Sequence, residues 1–222
     1  EHTNLQPGVL KCFLSNNVEK VERDVFTQNQ LFSQNEEFIN KGKLNEYVCS
    51  DKYTCGVLRK DSFQFHPLNF MKALAQDCIN LGASIFENCK FVNYQRNSGK
   101  IHASISNNNR VLNMQSEKVV FATGGYGGKE INELKNYWLP IKTFIGVTKP
   151  MGNELHYVLK KPLGFSDNRR AGNYYRVLPG NRLSWGRGIS AVGNYSRSSL
   201  KKVISKEISY FFPELKNIEI DY

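Results

Sequence analysis

The spacing of hydrophobic positions along this 222-residue chain changes several times, and each change marks an element. Residues 1–16 hold no steady period and carry the turn signal Pro7-Gly8, so they read as irregular. From Asn17 to Asn45 the chain is polar, with Val18, Val21, Val25 and Phe32 at spacings of three, four and seven. That predicts an amphipathic helix with a narrow apolar stripe, a solvated arm rather than a site. Ile39 and Leu44 read as its continuation or a second helix, broken near Gly42. Tyr53, Val57, Phe63 and Phe65 suggest short strands or an extended loop, and the alternation of Phe63 and Phe65 puts both on one face. His66-Pro67 opens a clearer helix, since proline fits a first turn, where its missing N–H is not needed. Leu68, Met71, Leu74, Ala75 and Cys78 keep helical spacing, and Gly82 stands where a terminating glycine belongs.

Past Gly82 the pattern becomes strand-like. Ala83-Ser84-Ile85-Phe86 and Phe91-Val92 read as strand material. A meander follows, with strands over 90–95, 100–106 and 110–114 and turns at Asn97-Ser98-Gly99 and Asn107-Asn108-Asn109. Ile101, Ala103 and Ile105 alternate with polar residues, as in a half-buried antiparallel strand. Val119–Ala122 is apolar on both faces, as a central strand should be, and breaks into Gly124-Gly125-Tyr126-Gly127-Gly128. Glycines there let a ligand approach backbone N–H groups; a plain glycine-rich turn is the competing reading. Ile131 to Trp138 reads as a short helix or loop ending at Pro140, and 141–147 and 155–159 as strands split by Lys149-Pro150-Met151-Gly152. Residues 174–178 and 182–185 form a hairpin about Pro179-Gly180-Asn181, ended by Gly186-Arg187-Gly188. Leu200, Val203, Ile204, Ile208, Phe211 and Phe212 mark a last amphipathic helix, stopped before Pro213. The predicted fold class is α+β: a mixed sheet with flanking helices.

Composition narrows the function classes. The chain is 40% hydrophobic and 23% charged, a globular balance, and no apolar run approaches the ~18–20 residues of a membrane span. No signal pattern is visible, so the expected setting is cytoplasmic, and the chain reads as a processed chain, a trimmed expression piece or an internal segment. Net charge is +10, yet no Lys/Arg run exceeds two, which argues against a nucleic-acid tail. The odd set Cys12, Cys49, Cys55, Cys78 and Cys89 contains no CxxC pair and reads as reduced, mostly buried thiols. His2, His102 and His156 are scattered and form no metal pattern. His66 precedes a proline-started helix and reads as a capping or packing residue rather than a catalytic base.

The order of these elements resembles a known family. A His-Pro helix ends at Gly82, a strand and meander follow, then Val-Val-Phe-Ala-Thr-Gly-Gly-Tyr, then Tyr-Tyr-Arg…Gly-Asn-Arg-Leu-Ser-Trp-Gly, then a helix ending Phe-Phe-Pro-Glu-Leu. Over roughly residues 50–222 this is similar to the FAD-dependent oxidoreductases of the D-amino-acid oxidase type, which include glycine and sarcosine oxidases and γ-glutamylputrescine oxidoreductase-like proteins. The resemblance implies a substrate domain with an antiparallel sheet plus part of an FAD-binding domain. It divides the chain into a helical arm with part of the substrate domain (1–65), a partial FAD-binding domain (66–130) and further substrate domain (131–222). It implies cofactor contacts from Phe91, Val92, Ala122, Thr123, Gly124 and Gly125. The chemistry implied is oxidation of an amine or amino acid C–N bond by hydride transfer to FAD, with no strong protein base required and no catalytic residue assigned. Tyr174, Tyr175 and Arg176 become candidate substrate groups, the guanidinium clamping a carboxylate, with Arg182 the alternate clamp. An exposed strand arginine beside core tyrosines is the plain alternative. Arg187 stands where relatives more often have glycine.

The departures matter as much. The chain has no GxGxxG turn and stops short of the family's final Trp-x-Gly segment. It therefore reads as a middle piece, expected to bind no FAD by itself and to be inactive alone. The rival is a non-catalytic interaction domain using its basic surface for an anionic partner.

Overall fold

The computed structural model describes residues 3–108, 110–126, 131, 136, 137, 139, 141–190 and 195–222. The chain divides into two compact units, Glu1–Phe70 with Thr143–Tyr222, and Met71–Lys142.

The first unit is built on a seven-stranded mixed sheet in the order β2 (Glu36–Ile39), β3 (Cys55–Gln64), β1 (Gln6–Phe13), β8 (Gly164–Asp167), β9 (Tyr174–Leu178), β10 (Arg182–Ser190) and β7 (Lys142–Val147). β1 (Gln6–Phe13) corrects the irregular start expected from Pro7-Gly8. Its ladder with β3 (Cys55–Gln64) shifts register between Pro7 and Val9, so a bulge absorbs the proline, and Gly8 takes φ +93 there. Beyond the bulge, Leu10 and Cys12 point into the core while Val9, Lys11 and Phe13 take the other face. Apolar residues on both faces hid the alternation. β2 (Glu36–Ile39) claims Ile39 for a strand against β3, where a helix was expected, and only the single turn α2 (Lys41–Leu44) remains helical.

Helix α1 (Val18–Phe32) forms as its stripe predicts. The Asn17 side chain accepts from Lys20 N at 3.1 Å, and Val21 and Val25 pack on Cys55 and Val57. Phe32, counted in the stripe, is exposed instead.

β7 (Lys142–Val147) matches expectation, but residues Glu154–Val158 form helix α4 rather than a strand. Leu155 and Val158, three apart, are both buried, which a helix achieves and a strand does not. β8 (Gly164–Asp167), unforeseen, pairs parallel with β1 and antiparallel with β9 (Tyr174–Leu178). β10 (Arg182–Ser190) runs through Gly186-Arg187-Gly188 instead of ending there. Helix α5 (Arg197–Phe211) is capped by Ser196 and lays Ile204, Ile208 and Phe211 on the sheet beside Leu10, Tyr53, Phe165, Tyr175, Leu183 and Trp185. Each such side chain contributes roughly 1.5–3 kcal/mol by burial.

Helix α3 (Pro67–Asn80) starts in the first unit and continues into the second. His66 caps it as expected, its Nδ1 accepting from Asn69 N at 3.2 Å. At the far end Gly82 sits at φ +93, with Gly82 N bonded to Ile79 O and Ala83 N to Cys78 O, both 2.9 Å. In the second unit β4 (Cys89–Asn97), β5 (Lys100–Asn107) and β6 (Arg110–Ser116) form the expected meander. Ser98 and Gly99 both have positive φ, the geometry of a tight two-residue hairpin turn.

Two expected strands do not form. Ala83–Phe86 and Val119–Ala122 have no ladder partner among the described residues, and Phe86 and Val120 are exposed. An apolar run becomes a strand only where a neighbour takes its N–H and C=O groups. The element expected over 131–140 lies largely outside the described residues, as do Gly127, Gly128, Asn109 and His2.

Candidate functional site

The β9–β10 hairpin sorts its residues by the two-residue period of a strand. Arg176 lies opposite Ser184 and Tyr174 opposite Gly186, on one face; Tyr175 lies opposite Trp185 and Val177 opposite Leu183, on the other. The second face packs on α5 and forms the core. The first is open. There Arg176, Tyr174 and Ser184, with Phe63 and Phe65 of the β3 end and Ile145 of β7, line a groove of about 340 Å³. Phe63 and Phe65 share this face as their alternation implied, with ring centroids 6.1 Å apart. Gly186 makes the groove possible, because a Cβ there would clash with the Tyr174 ring lying over it.

Arg176 is partly buried at this groove. Its Nη1 donates to the Phe65 carbonyl at 2.7 Å, and no carboxylate pairs with it among the described residues. Burial pulls its pKa below the usual arginine value, because desolvation disfavours the charged form. A guanidinium in this position gains from an anion that returns the lost hydration.

The other sequence candidates lie elsewhere. Tyr175 is 3% exposed; its ring stacks between Phe165 (5.4 Å) and Trp185 (4.4 Å), and its hydroxyl donates to Tyr53 Oη at 3.0 Å. It supports the groove from beneath. Arg182 shares a face with Arg176, but its Nε donates to Thr148 O at 2.9 Å and its Nη2 pairs with Asp221 at 2.5 Å. Its guanidinium also lies over the Tyr222 ring, so it holds residues 148 and 221 rather than facing the groove.

Arg187 falls on the α5 face, bonded to Glu207 at 2.9 Å. Glu207 also takes Arg169 at 2.8 Å, and Arg169 spans to the fully buried Asp167 carboxylate at 2.8 Å. Asn173 N donates to Asp167 as well, at 3.1 Å. The stretch Asp167-Asn168-Arg169-Arg170 was visible in the sequence, but its partner Glu207 lies 38 residues from Arg169, beyond any local pattern. Nearby, burial, then the Asp167 charge, push the Cys12 thiol well up, and burial holds Tyr53 and Tyr175 neutral in the same way. All five cysteines are free, and no group of three or more His, Cys, Asp or Glu fit for a metal occurs among the described residues.

In the second unit the two segments expected to touch a cofactor come together. Phe121 packs on Phe91 (5.3 Å) and Tyr94 (5.7 Å), which ties the stretch before Ala122 to β4. Val92, Ala122, Thr123 and Gly124 are at least partly exposed, and Gly124–Tyr126 forms one 3₁₀ turn closed by Tyr126 N to Thr123 O at 3.1 Å. Gly124 has φ +53 and nothing within 4 Å of where a Cβ would stand, so its backbone is open to a ligand; Gly125 follows in the same turn. This fits one contact with a flavin nucleotide. No glycine-rich strand-to-helix turn that cradles a pyrophosphate occurs among the described residues.

A sequence profile described as "DAO: FAD dependent oxidoreductase" matches residues 2–222. The chain belongs to this family of FAD-dependent oxidoreductases. Among curated relatives, a probable oxidoreductase OrdL of Haemophilus influenzae is 29% identical over 194 residues, covering 85% of this chain and 43% of its own length. The γ-glutamylputrescine oxidoreductase of Escherichia coli K12 is 24% identical over 189 residues, covering 84% and 43%. This family member thus spans less than half the length of these curated relatives. In fold it is similar to glycine oxidase from Bacillus cereus (TM-score 0.75, 16% identity, 99% of this chain and 59% of that one). It is also similar to L-proline dehydrogenase from P. horikoshii (TM-score 0.73, 16% identity, 99% and 60%). The α+β mixed-sheet architecture read from the sequence is the architecture of this fold. No helix among the described residues is long and apolar enough to cross a membrane.

Proposed function

We propose that this chain is a middle piece of a flavin-dependent oxidoreductase that oxidises the C–N bond of a small amine or amino acid. The first unit acts as substrate domain and the second contributes part of the FAD-binding domain. One observation carries the reading: a partly desolvated Arg176 without a carboxylate partner among the described residues, at the end of a groove walled by aromatic and aliphatic side chains. Arg176 binds the substrate carboxylate, its geometry fixed by the Phe65 carbonyl. Tyr174 and Phe65 shield the substrate carbon from water and hold its C–H bond in one orientation. When bound, FAD supplies the hydride acceptor. Ala122 to Gly125, with Phe91 and Val92, give that cofactor one contact surface, and the isolated chain neither retains it nor turns over substrate.

The test is Arg176→Met in the full-length protein. Losing a desolvated charge pair of about 2 kcal/mol or more raises KM for carboxylate substrates at least ~30-fold. Unchanged KM removes Arg176 from the clamp role. Independently, flavin absorbance copurifying with residues 1–222 at near-stoichiometric level refutes the claim that the chain cannot hold the cofactor. The net charge of +10 favours a second reading, a non-catalytic module for an anionic partner. A full-length protein with bound flavin but no turnover across a panel of amines and amino acids supports that alternative.

A further inference from the structure

The Arg176 groove does not stand alone. Gln64, Phe65 and Arg176 also wall a narrow gap of about 20 Å³, and Gln64 and Val177 carry that wall on into a cleft of about 300 Å³. The cleft floor is apolar, from Leu159, Leu163 and Val177, while Lys160 and Lys161 stand at its edge with His156. Among the described residues, none lining the groove, the gap or the cleft carries a carboxylate. Neither lysine has an ion-pair partner among the described residues, whereas Lys20, Lys43, Lys60 and Lys149 do. At the junction, Gln64 Nε2 donates to Gln6 Oε1 (3.1 Å) and Pro162 O (3.2 Å), which leaves Gln64 Oε1 buried without a partner. A buried lone acceptor of this kind is stabilised by a ligand N–H.

We infer that groove and cleft together form one elongated binding face for a molecule anionic at both ends, with an N–H donor between them. One carboxylate meets Arg176, the other meets Lys160 and Lys161, and the central N–H faces Gln64. The class is a dicarboxylate amine or amide, such as an amino acid N-substituted with a carboxyalkyl chain. A substrate with a cationic far end meets two lysines and no acid, and is disfavoured. The Arg176 end rests on the reading proposed above; the lysine end does not.

The test is amide-resolved NMR titration of the chain with α,ω-dicarboxylates from glutarate to suberate, against the matching monocarboxylates pentanoate to octanoate. An exposed ion pair contributes up to about 1 kcal/mol, so the best dicarboxylate binds up to about fivefold tighter than its monocarboxylate. Lys160→Ala/Lys161→Ala erases that advantage and leaves the monocarboxylate unaffected. Both positions are exposed, so the variant keeps its fold, which circular dichroism verifies. Equal affinities in the wild-type chain overturn the inference, as does an advantage that survives in the double-alanine variant. An advantage that persists in Arg176→Met also overturns it, because the two anions then occupy separate sites. Monocarboxylate binding unchanged in Arg176→Met refutes instead the groove reading, and is seen in the same titration.

Discussion

The hydroxyl pair beneath the groove gives the most direct check on how the sheet is held. Tyr175 donates to Tyr53 at 3.0 Å, with the two rings 3% and 0% exposed, so water replaces neither partner. Tyr175→Phe removes one oxygen and leaves the Tyr53 hydroxyl without its donor in a dry site. The lost hydrogen bond and stranded group together cost about 1–2 kcal/mol. Tyr53→Phe removes the acceptor of the Tyr175 hydroxyl, leaving it only the Cys12 thiol, and costs about the same. The double variant removes both groups and strands neither, so its cost stays near about 1–2 kcal/mol instead of the roughly 2–4 of a sum. For a chain of this size 1 kcal/mol moves Tm by about 2–4 °C, so each single change is resolvable. Urea unfolding of the four proteins, followed by near-ultraviolet circular dichroism, reads the site itself, because Trp185 stacks 4.4 Å from Tyr175. Additive effects, or single variants within about 0.5 kcal/mol of wild type, refute the claim that the pair is a sealed unit.

Two further outcomes follow from the same region. Burial holds Cys12, Tyr53 and Tyr175 neutral beyond their ordinary values of 9.0 and 10.0, so the unfolded chain loses those protons first and stability falls as pH rises above that range. Each group removes about 1.4 kcal/mol per pH unit there, and Cys12→Ala lowers the slope by about a third above pH 10; urea midpoints unchanged from pH 8 to 11 sink this account. Arg169→Met leaves the Asp167 carboxylate buried with backbone donors alone, at about 3 kcal/mol, or roughly 6–12 °C in Tm by calorimetry, while a loss under about 1 kcal/mol shows that the ion pair is dispensable.

Elements whose signal is local were legible. The α3 helix needed only a proline at its start, a repeat over one face and a glycine at φ +93 at its end. The β9–β10 hairpin and the meander needed turn residues and alternation, and α1 and α5 needed one apolar stripe. Elements whose signal depends on a distant partner were misread. β1 looked irregular because its proline sits at a bulge set by β3. β8 has four residues and exists because β1 and β9 flank it. Val119–Ala122 has the composition of a strand and, among the described residues, no neighbour to bond.

The candidate site divides the same way. Residue type and order singled out Tyr174, Tyr175, Arg176 and Arg182 together, and the alternation within the hairpin was already implicit in their numbers. Which face is open was decided by α5, which buries Tyr175 and Trp185 and leaves Tyr174 and Arg176 at the groove. Asp221 decided that Arg182 is occupied, and the absence of any such partner among the described residues left Arg176 available. A sequence records which charges exist. Their pairing is a property of distance in the folded chain, and burial makes that pairing count.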